Sequence, residues 1–459
     1  MNSTSAGRTR VMVGTVIPGT GADPWGPAIL TFEGGLLTAV EAAPPDPELP
    51  DGVLDRRSLT AIPGLIDCHT HFISIPIYEA YPELRGTAFE TAVQKSRLAP
   101  GIPDGLLMAA GVRNALQALR AGVTTARDCG GPGDLPFVLK DAIATGLIPG
   151  PRLLVSGPII TRTGGHGHAM GGEADGAVGC RALTRRVMRQ GADFIKIALT
   201  GGLATAGTNP GHVAFWPEEL QAIVDEAHRE GRHVAAHILG RDGIQPALEA
   251  GVDSLEHVWF MRPDGTTAFD ERLLEAMAER GAVCCPTPAT EVRLAQRIRR
   301  RIEAGVASPE EVRVGAWSEQ RVEDNLQIVL RMHEAGIRLL NGTDAGVPYI
   351  PFDDYALPLE LLVAAGMSPR DAIATATREP AAFLGINAGT LEPGKLADVV
   401  LIEGDPYRDV SCLRNVREVW KEGRCVYAHG SPYDDPWDSG VGPLQDDEMK
   451  LFGAWKEIR

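Results

Sequence analysis

The sequence has few aromatic residues, no Cys-x-x-Cys pair and no apolar run long enough to cross a bilayer. Phe, Trp and Tyr make up 5% of its 459 residues, and its seven cysteines are irregularly spaced. This pattern predicts reduced, mostly buried thiols in a cytoplasmic protein and argues against a zinc–thiolate site. The apolar stretch at 11–17 is too short and too rich in valine for a signal peptide, so it predicts a strand.

Basic residues are also in deficit. Lys and Arg number 44 against 60 Asp and Glu, which gives a net charge of −16 and a pI of about 5.2. This balance argues against a nucleic acid or an anionic membrane as a partner, so we expect a small-molecule substrate. The length suits one large α/β domain with a smaller one beside it.

The middle of the chain alternates short β-rich runs with amphipathic helical segments. In "PEELQAIVDEAHREG", Leu220, Ile223, Val224 and Ala227 follow the i, i+3, i+4, i+7 pattern of a helix. Eight such β-then-α units predict a (β/α)8 TIM barrel rather than a doubly wound sheet, which would usually have a glycine-rich phosphate turn after its first strand. The eight runs are "IPGLIDCH", "VTTARD", "RLLVSG", "DFIKIAL", "HVAAHI", "SLEHV", "AVCCPTPA" and "RLLNGTD".

Both ends of the chain differ from the middle, because they contain short strands and no notable helices. We expect residues 1–61 and 386–430 to form one small β-sandwich domain beside a barrel of residues 62–385, followed by a tail at 431–459. Residues 290–336 are too long for a simple return helix and predict a helical lid. Its run at 297–301, "RIRRR", is interpreted as a solvated helix face.

Six polar residues lie in or at the ends of five of the predicted strands. Barrel enzymes place their catalytic groups at the carboxyl ends of strands, and residues i and i+2 of a strand point to the same side. Taken singly, His237 could be a core histidine, His257 could pair with Glu256, and Asp344 could cap a helix. Together they predict a metal centre. The six residues are His69, His71, Lys196, His237, His257 and Asp344.

Lys196 lies in the apolar run "FIKIAL", which predicts a buried strand. A buried ammonium group is disfavoured, and more so beside metal cations. A neutral lysine amine can instead add carbon dioxide and become a carbamate, an anion able to bridge two metals. The alternative is a lysine that extends to the barrel rim.

These stretches, in this order, resemble the amidohydrolase superfamily and its imidazolonepropionase-like and Xaa-Pro-dipeptidase-like branch. The resemblance includes "PGLIDCHTHF", "GADFIKIALTGG", "AGVDSLEHV" and the late "GTLEPGKLADVVLIEGDP". It implies two divalent metal ions, expected to be zinc. His69, His71 and Asp344 would bind the more buried ion, His237 and His257 the more exposed one, and carboxylated Lys196 would bridge both.

The function that follows is hydrolysis of an amide-type C–N bond in a dipeptide, an N-acyl amino acid, an aryl amide or a related urea or carbamate. Metal-generated hydroxide attacks the carbonyl, and Asp344 takes its proton and passes it to the leaving nitrogen. Asp344, Lys196 and His257 are the residues expected to act in catalysis. Relatives commonly assemble into homo-oligomers, so an oligomer is expected here.

One position departs from the branch, whose fifth-strand motif often reads Ala-His-Ala-His-Gly. Leu239 occupies the place of the second histidine, so dipeptidase specificity is in doubt. The alternative function is a ring deaminase, or a hydrolase of cyclic amidines or imidazolones, with a mononuclear site. Such sites often carry a glutamate where this chain has Gly240, and often lack the bridging lysine. A third class, a metal-free binding scaffold, would have lost ligands.

Three residues in loops are candidates for substrate contacts. His166 and His168 lie in the glycine-rich stretch "TRTGGHGHAMGGEADG" that follows the third strand, and Tyr349 follows the eighth strand. Glycines let the backbone approach a ligand closely, and these side chains could bind a carbonyl or form an aromatic wall. Plain loop filling is the alternative for each.

Overall fold

The computed structural model describes residues 7–44, 48–74, 102–347 and 349–430. The predicted tail at 431–459 therefore lies outside the described residues. The strands are β1 (Thr9–Val16), β2 (Ala28–Glu33), β3 (Leu36–Ala42), β4 (Val53–Pro63), β5 (Leu65–Thr70), β6 (Val123–Asp128), β7 (Arg152–Val155), β8 (Ile195–Ala198), β9 (Val234–Gly240), β10 (Ser254–Met261), β11 (Val283–Cys285), β12 (Arg338–Leu339), β13 (Val399–Ile402), β14 (Val416–Lys421) and β15 (Arg424–Ala428).

Helices separate most of the strands between β5 and β13. The α-helices are α1 (Asp104–Arg120), α2 (Leu135–Ala144), α3 (Gly176–Gln190), α4 (Pro217–Arg229), α5 (Ile244–Ala250), α6 (Glu271–Glu279), α7 (Val292–Glu303), α8 (Pro309–Glu334), α9 (Ala356–Ala365), α10 (Pro369–Thr375) and α11 (Arg378–Leu384). Short 3-10 helices span His168–Met170, Arg241–Gly243 and Val410–Arg414. No helix in the described ranges is long and apolar enough to cross a membrane.

Helix α4 shows how the local sequence sets an element. It begins at Pro217, whose fixed φ suits the first helical position, and Glu219 accepts a hydrogen bond from the backbone N–H of Trp216 at 2.8 Å. The predicted apolar stripe is buried against the sheet side, with Leu220, Ile223 and Val224 at most 2% exposed. The helical periodicity predicted for this segment is confirmed.

Strands from the two ends of the chain join in one mixed sheet of seven strands. Its order is β15-β14-β13-β4-β1-β2-β3, with β4 parallel to β1 and antiparallel to β13. Val399 of β13 pairs with Pro63 of β4, so a strand from the end of the chain lies directly beside one from its beginning. Its apolar face includes Val11, Leu30 and Trp420, and β4 leads through Gly64 directly into β5.

The eight β-rich runs predicted for the middle of the chain all form parallel strands, which confirms the α/β class. They are recorded as two sheets, β5-β6-β7 and β8-β9-β10-β11-β12. Single parallel bridges link the sheets at both seams, between Ile160 and Ile197 and between Thr70 and Ala345. A continuous ladder around all eight strands is not recorded within the described ranges. The parallel order still brings the carboxyl ends of the strands to one side.

The segment between β11 and β12 is helical, as predicted, and consists of α7 and α8. Its arginine run is more than a solvated face. Arg299 pairs with Glu319 at 2.8 Å and Arg301 pairs with Glu311 at 2.8 Å, both across to α8. These ion pairs join the two helices next to the carboxyl ends of β10 and β11.

Candidate metal centre

The structure brings all six predicted ligands to the carboxyl ends of the parallel strands. They lie in β5, β8, β9 and β10 or just beyond the ends of β5 and β12, and each is at most 8% exposed. Residues far apart in the chain therefore share one buried space. The six are His69, His71, Lys196, His237, His257 and Asp344.

Short distances connect the members of this cluster. The carboxylate Oδ1 of Asp344 lies 3.2 Å from Nε2 of His71 and 3.7 Å from Nε2 of His69. The amine of Lys196 lies 3.4 Å from the same His69 nitrogen. Potential ligand atoms of His69, His257 and Asp344 all lie within 4.8 Å of one another, and the rings of His257 and His237 are 4.6 Å apart.

The histidines are oriented by contacts on their Nδ1 atoms. Nδ1 of His71 donates to the carbonyl of Gly130 at 2.8 Å, and Nδ1 of His257 lies 2.8 Å from the hydroxyl of Thr287. A histidine held through Nδ1 presents Nε2 to a metal, and protein metal sites usually hold their ligands in this way. Nε2 of His237 is buried and has no hydrogen-bond partner in the part of the chain described. An unpaired buried nitrogen in this position suits a metal ligand.

Burial also prepares these rings for metal binding. It lowers the pKa of His69 to about 4, with help from the nearby Lys196 amine, and it lowers the pKa of His237 and His257 well below the usual range. Neutral imidazole is the form that binds metal, so burial keeps His69, His237 and His257 in the required state at neutral pH.

The lowered pKa of His69 predicts a pH effect on the metal-free protein. The unfolded chain takes up a proton near pH 6.5, whereas the folded chain takes it up only near pH 4. The contribution of His69 is thus complete above pH 6.5 and is lost as the pH falls toward 4. The free energy of unfolding should fall by about 3 kcal/mol over this range relative to a His69→Asn variant. Urea unfolding of both chains in chelator measures the difference, and a difference that does not vary with pH would contradict the prediction.

A buried ion pair supports His69 from behind. Glu256 accepts from Nδ1 of His69 at 2.7 Å and from the guanidinium of Arg127 at 2.5 Å, and both charged side chains are at most 1% exposed. Burial would raise the pKa of Glu256, but Arg127 and Lys196 outweigh it and hold that pKa well below its usual range. An ionised Glu256 keeps the proton of His69 on Nδ1 and leaves Nε2 for a metal.

The alternative that His257 pairs with Glu256 is therefore wrong, since the carboxylate binds His69 and Arg127 instead. Neighbouring residues of a strand point to opposite faces, which could have excluded that pairing from the sequence. Arg127 was also missed, although an arginine inside the run "VTTARD" is the same kind of signal as Lys196 inside "FIKIAL". Both are long basic side chains in strands that are buried along their length.

Two predicted ligands lie in backbone conformations that non-glycine residues rarely adopt. His257 has φ 71° and Asp344 has φ 58°, both in the left-handed region. Such residues carry strain and tend to cluster at functional sites. Between the strands, a Cβ on Gly342 would lie 2.5 Å from Sγ of Cys285 and 2.7 Å from Cβ of His69. Glycine at 342 thus lets β5 approach the segment that carries Asp344.

A cavity opens directly over the cluster, and two of the three predicted substrate contacts line it. His166 and Tyr349 line it, and the ring of His166 packs 4.4 Å from that of His237. His168 is half-buried outside this lining, with Nδ1 3.0 Å from the carbonyl of Gly165. The cavity is lined by His166, Leu203, Ala204, His237, Leu239, His257, Trp259, Thr290, Glu291, Leu294, Asp344, Val347 and Tyr349.

Parallel strands with a buried cluster of histidine, lysine and aspartate at their carboxyl ends have the arrangement of an enzyme active site. Residues 60–426 match the model of the amidohydrolase family. The chain belongs to that family and is a hydrolase that acts on carbon–nitrogen bonds. Metal binding is typical of the family, and the buried cluster offers the groups for it.

Individual relatives cover nearly the whole chain. An ochratoxinase from Aspergillus niger is 31% identical, with 97% of this chain and 90% of that protein aligned. An imidazolonepropionase from Rhizorhabdus wittichii is 27% identical over 81% of this chain and 87% of that protein. Among solved structures, a Xaa-Pro dipeptidase with methionine in its active site gives a TM-score of 0.76 at 26% identity, covering 92% of this chain and all of the other.

Proposed function

We propose that this protein hydrolyses amide-type C–N bonds at a binuclear metal centre. His69, His71 and Asp344 would hold one ion and His237 and His257 the other, with Lys196 between them. When bound, two divalent ions, expected to be zinc, supply a hydroxide near neutral pH and polarise the substrate carbonyl. The observation that carries the proposal is the convergence of buried, oriented histidines on the carboxylate of Asp344.

Lys196 is proposed to act as a carbamate formed with carbon dioxide. Its side chain is 1% exposed, and no ion pair to a carboxylate is recorded for it among the described residues. A permanently charged amine would repel metals at this point, whereas a carbamate would supply the missing anion. The amine lies within 3.4 Å of His69, which is close enough to share a metal site with it.

Asp344 is proposed as the general base and acid. Its carboxylate faces both the histidines and the cavity, so it can accept a proton at the attacking oxygen and return it to the leaving nitrogen. Protonation matters because an amide anion is a very poor leaving group. The substrate would be a dipeptide, an N-acyl amino acid, an aryl amide or a related urea or carbamate. The Xaa-Pro dipeptidase with a TM-score of 0.76 at 26% identity supports a substrate of this general type.

Replacing Asp344 by asparagine tests this role. We expect amide turnover to fall by about 10²- to 10⁴-fold, because the general base is lost while the shape of the side chain is kept. The measurement is kcat/KM on the best substrate from a screen of these classes, together with metal content per chain. Turnover that survives in Asp344→Asn with metal still bound would remove Asp344 from the proposed chemistry.

The second candidate is hydrolysis of an imidazolone-type ring or a related deamination at a single metal. The 27% identical imidazolonepropionase favours it. Metal content separates the two candidates, since about two ions per chain with amide turnover supports the first. One tightly bound ion, with ring opening and no amide turnover, would support the second.

The same family assignment supports three further proposals about the whole molecule. The eight parallel strands would close into a (β/α)8 barrel of residues 62–385, with residues 1–61 and 386–430 as a β-sandwich domain beside it. The chain would assemble as a homo-oligomer. All seven cysteines are free, which supports a cytoplasmic location.

A further inference from the structure

A buried tryptophan in the cavity wall has a hydrogen-bond donor that no described residue accepts. Trp259 lies in β10 two residues after His257, and their rings are 5.6 Å apart. The indole is 4% exposed, and its Nε1 has no partner in the described ranges. Buried indole N–H groups usually find an acceptor, so an unpaired one beside a substrate cavity indicates that a ligand supplies it.

The surface around this indole is apolar. Leu239, Trp259 and Met261 form one buried cluster, and Leu203 and Trp317 pack against it. Leu203 and Leu239 line the cavity together with Trp259, and Leu294 is a further apolar residue of the same lining. Leu239 occupies the position where the family branch often has a second histidine, so this chain has exchanged a polar ring for an aliphatic side chain here.

An arginine and a glutamate lie close to this wall. The guanidinium of Arg321, from α8, stacks between two indoles, 3.9 Å from the ring centre of Trp259 and 4.3 Å from that of Trp317. Glu291 lines the cavity, and its Oε1 lies 3.6 Å from Nη2 of Arg321. Arg321 holds the Trp259 ring in place from one face, and the cavity lining that packs with this ring consists of Leu203 and Leu239.

We propose that this wall, formed by Leu203, Leu239, Trp259 and Leu294, is the specificity pocket of the enzyme. It takes a planar apolar group, an aromatic ring, which carries one hydrogen-bond acceptor for the N–H of Trp259. The inference rests on the proposed amide hydrolysis, because the ring would be one side of the scissile amide. The preferred substrates are therefore aromatic amides with a carbonyl or ether oxygen on the ring, rather than small aliphatic amides.

Equilibrium binding of three probes of similar size tests the pocket without relying on turnover. Acetophenone has a planar ring and an acceptor, ethylbenzene has the ring alone, and cyclohexyl methyl ketone has the acceptor on a puckered ring. Ligand-observed NMR titration of the metal-loaded protein gives the three dissociation constants. We expect acetophenone to bind about fivefold more tightly than ethylbenzene, the size of one added hydrogen bond, and also more tightly than cyclohexyl methyl ketone, whose puckered ring cannot lie flat against the indole. Three equal dissociation constants would overturn the proposal.

Matched tryptophan variants assign the effect to one side chain. Trp259→Phe keeps an aromatic wall and removes the N–H, so acetophenone should bind no better than ethylbenzene. Trp259→Leu should weaken both aromatic probes. Trp216→Phe, at an indole that is 71% exposed beside α4, is the control and should change nothing. An unchanged preference for acetophenone in Trp259→Phe would overturn the proposal, even if Trp259→Leu failed to fold.

Turnover separates this inference from the proposed function. We would compare the wild-type kcat/KM for N-methylacetamide with that for methoxybenzamides and methoxyanilides. The aromatic amides should have a kcat/KM higher by about tenfold or more. Turnover of all of them at equal rates would leave the amidase standing and contradict the pocket. If no amide is cleaved, the amidase fails and the probe titrations alone decide about the pocket.

Discussion

Replacing Lys196 by alanine is expected to reduce the metal content from two ions per chain to one or none, and to lower amide turnover on the order of 10³-fold or more. In the proposed centre this change removes the bridging anion, and nothing else in the described cluster would replace it between His69 and His237. The change leaves a cavity, since Lys196 is among the largest fully buried side chains, but it also removes a buried amine, so the fold should persist with reduced stability. Elemental analysis, kcat and far-UV circular dichroism on protein purified with bicarbonate measure the three quantities.

Two further variants make this result specific. Short carboxylates such as acetate or propionate should restore part of the activity of Lys196→Ala, because they can occupy the place of the carbamate. They should not rescue Lys196→Met, whose side chain fills that space. Lys140→Ala, at a partly exposed lysine paired with Asp193, is the control. Full metal content and full activity in Lys196→Ala would show that Lys196 is not a bridging ligand.

Replacing Glu256 by alanine is expected to lower the free energy of unfolding by about 3–5 kcal/mol. The change leaves the guanidinium of Arg127, which is 1% exposed, as an unpaired buried charge. It also releases the proton on Nδ1 of His69, so metal affinity should fall by about 10- to 100-fold. Glu256→Gln keeps the volume of the side chain and part of its hydrogen bonding. Its stability and metal affinity should lie between those of the wild type and those of Glu256→Ala.

Urea unfolding of the metal-free proteins and metal titration by competition with a chelator give these numbers. Glu403→Ala is the control, since Glu403 pairs with Arg417 on the surface with its side chain 51% exposed. Such a pair contributes about 0–1 kcal/mol. Equal losses of stability in Glu256→Ala and Glu403→Ala would show that the buried pair is not the support of His69 that the structure indicates.

The sequence was sufficient to predict where the strands lie and which side chains gather. Apolar runs that end in polar residues recur eight times, and parallel strands bring such ends together. The proximity of His69, His71 and Asp344 can therefore be predicted without knowing any side-chain contact, and the structure shows it. The histidine pair of "DCHTHF" predicts a metal centre only in combination with the four residues that join it from other strands.

The supporting contacts were harder to predict, because they depend on how distant strands align. Glu256 faces His69 across 187 residues of sequence, and Thr287 reaches His257 from another strand end. Whether a carboxylate next to a histidine binds that histidine or another is decided by which face each residue occupies. The divergence between His166, in the cavity wall, and His168, outside it, arises from backbone turns with left-handed glycines that the repeated His-Gly pattern does not specify.

The pairing of β4 with β13 has a consequence for the synthesis of the protein. During translation β4 emerges early, and β13 emerges only after every strand that carries a predicted metal ligand has been made. One edge of β4 is therefore exposed on the ribosome for most of that time, and an open strand edge can pair with another nascent chain. β4 continues through a single glycine into the strand that bears His69. This predicted ligand is therefore attached to an incomplete sheet until β13 has been made. Chains stalled before residue 399 should thus be the most prone to aggregate, and molecular chaperones should be needed most at that stage.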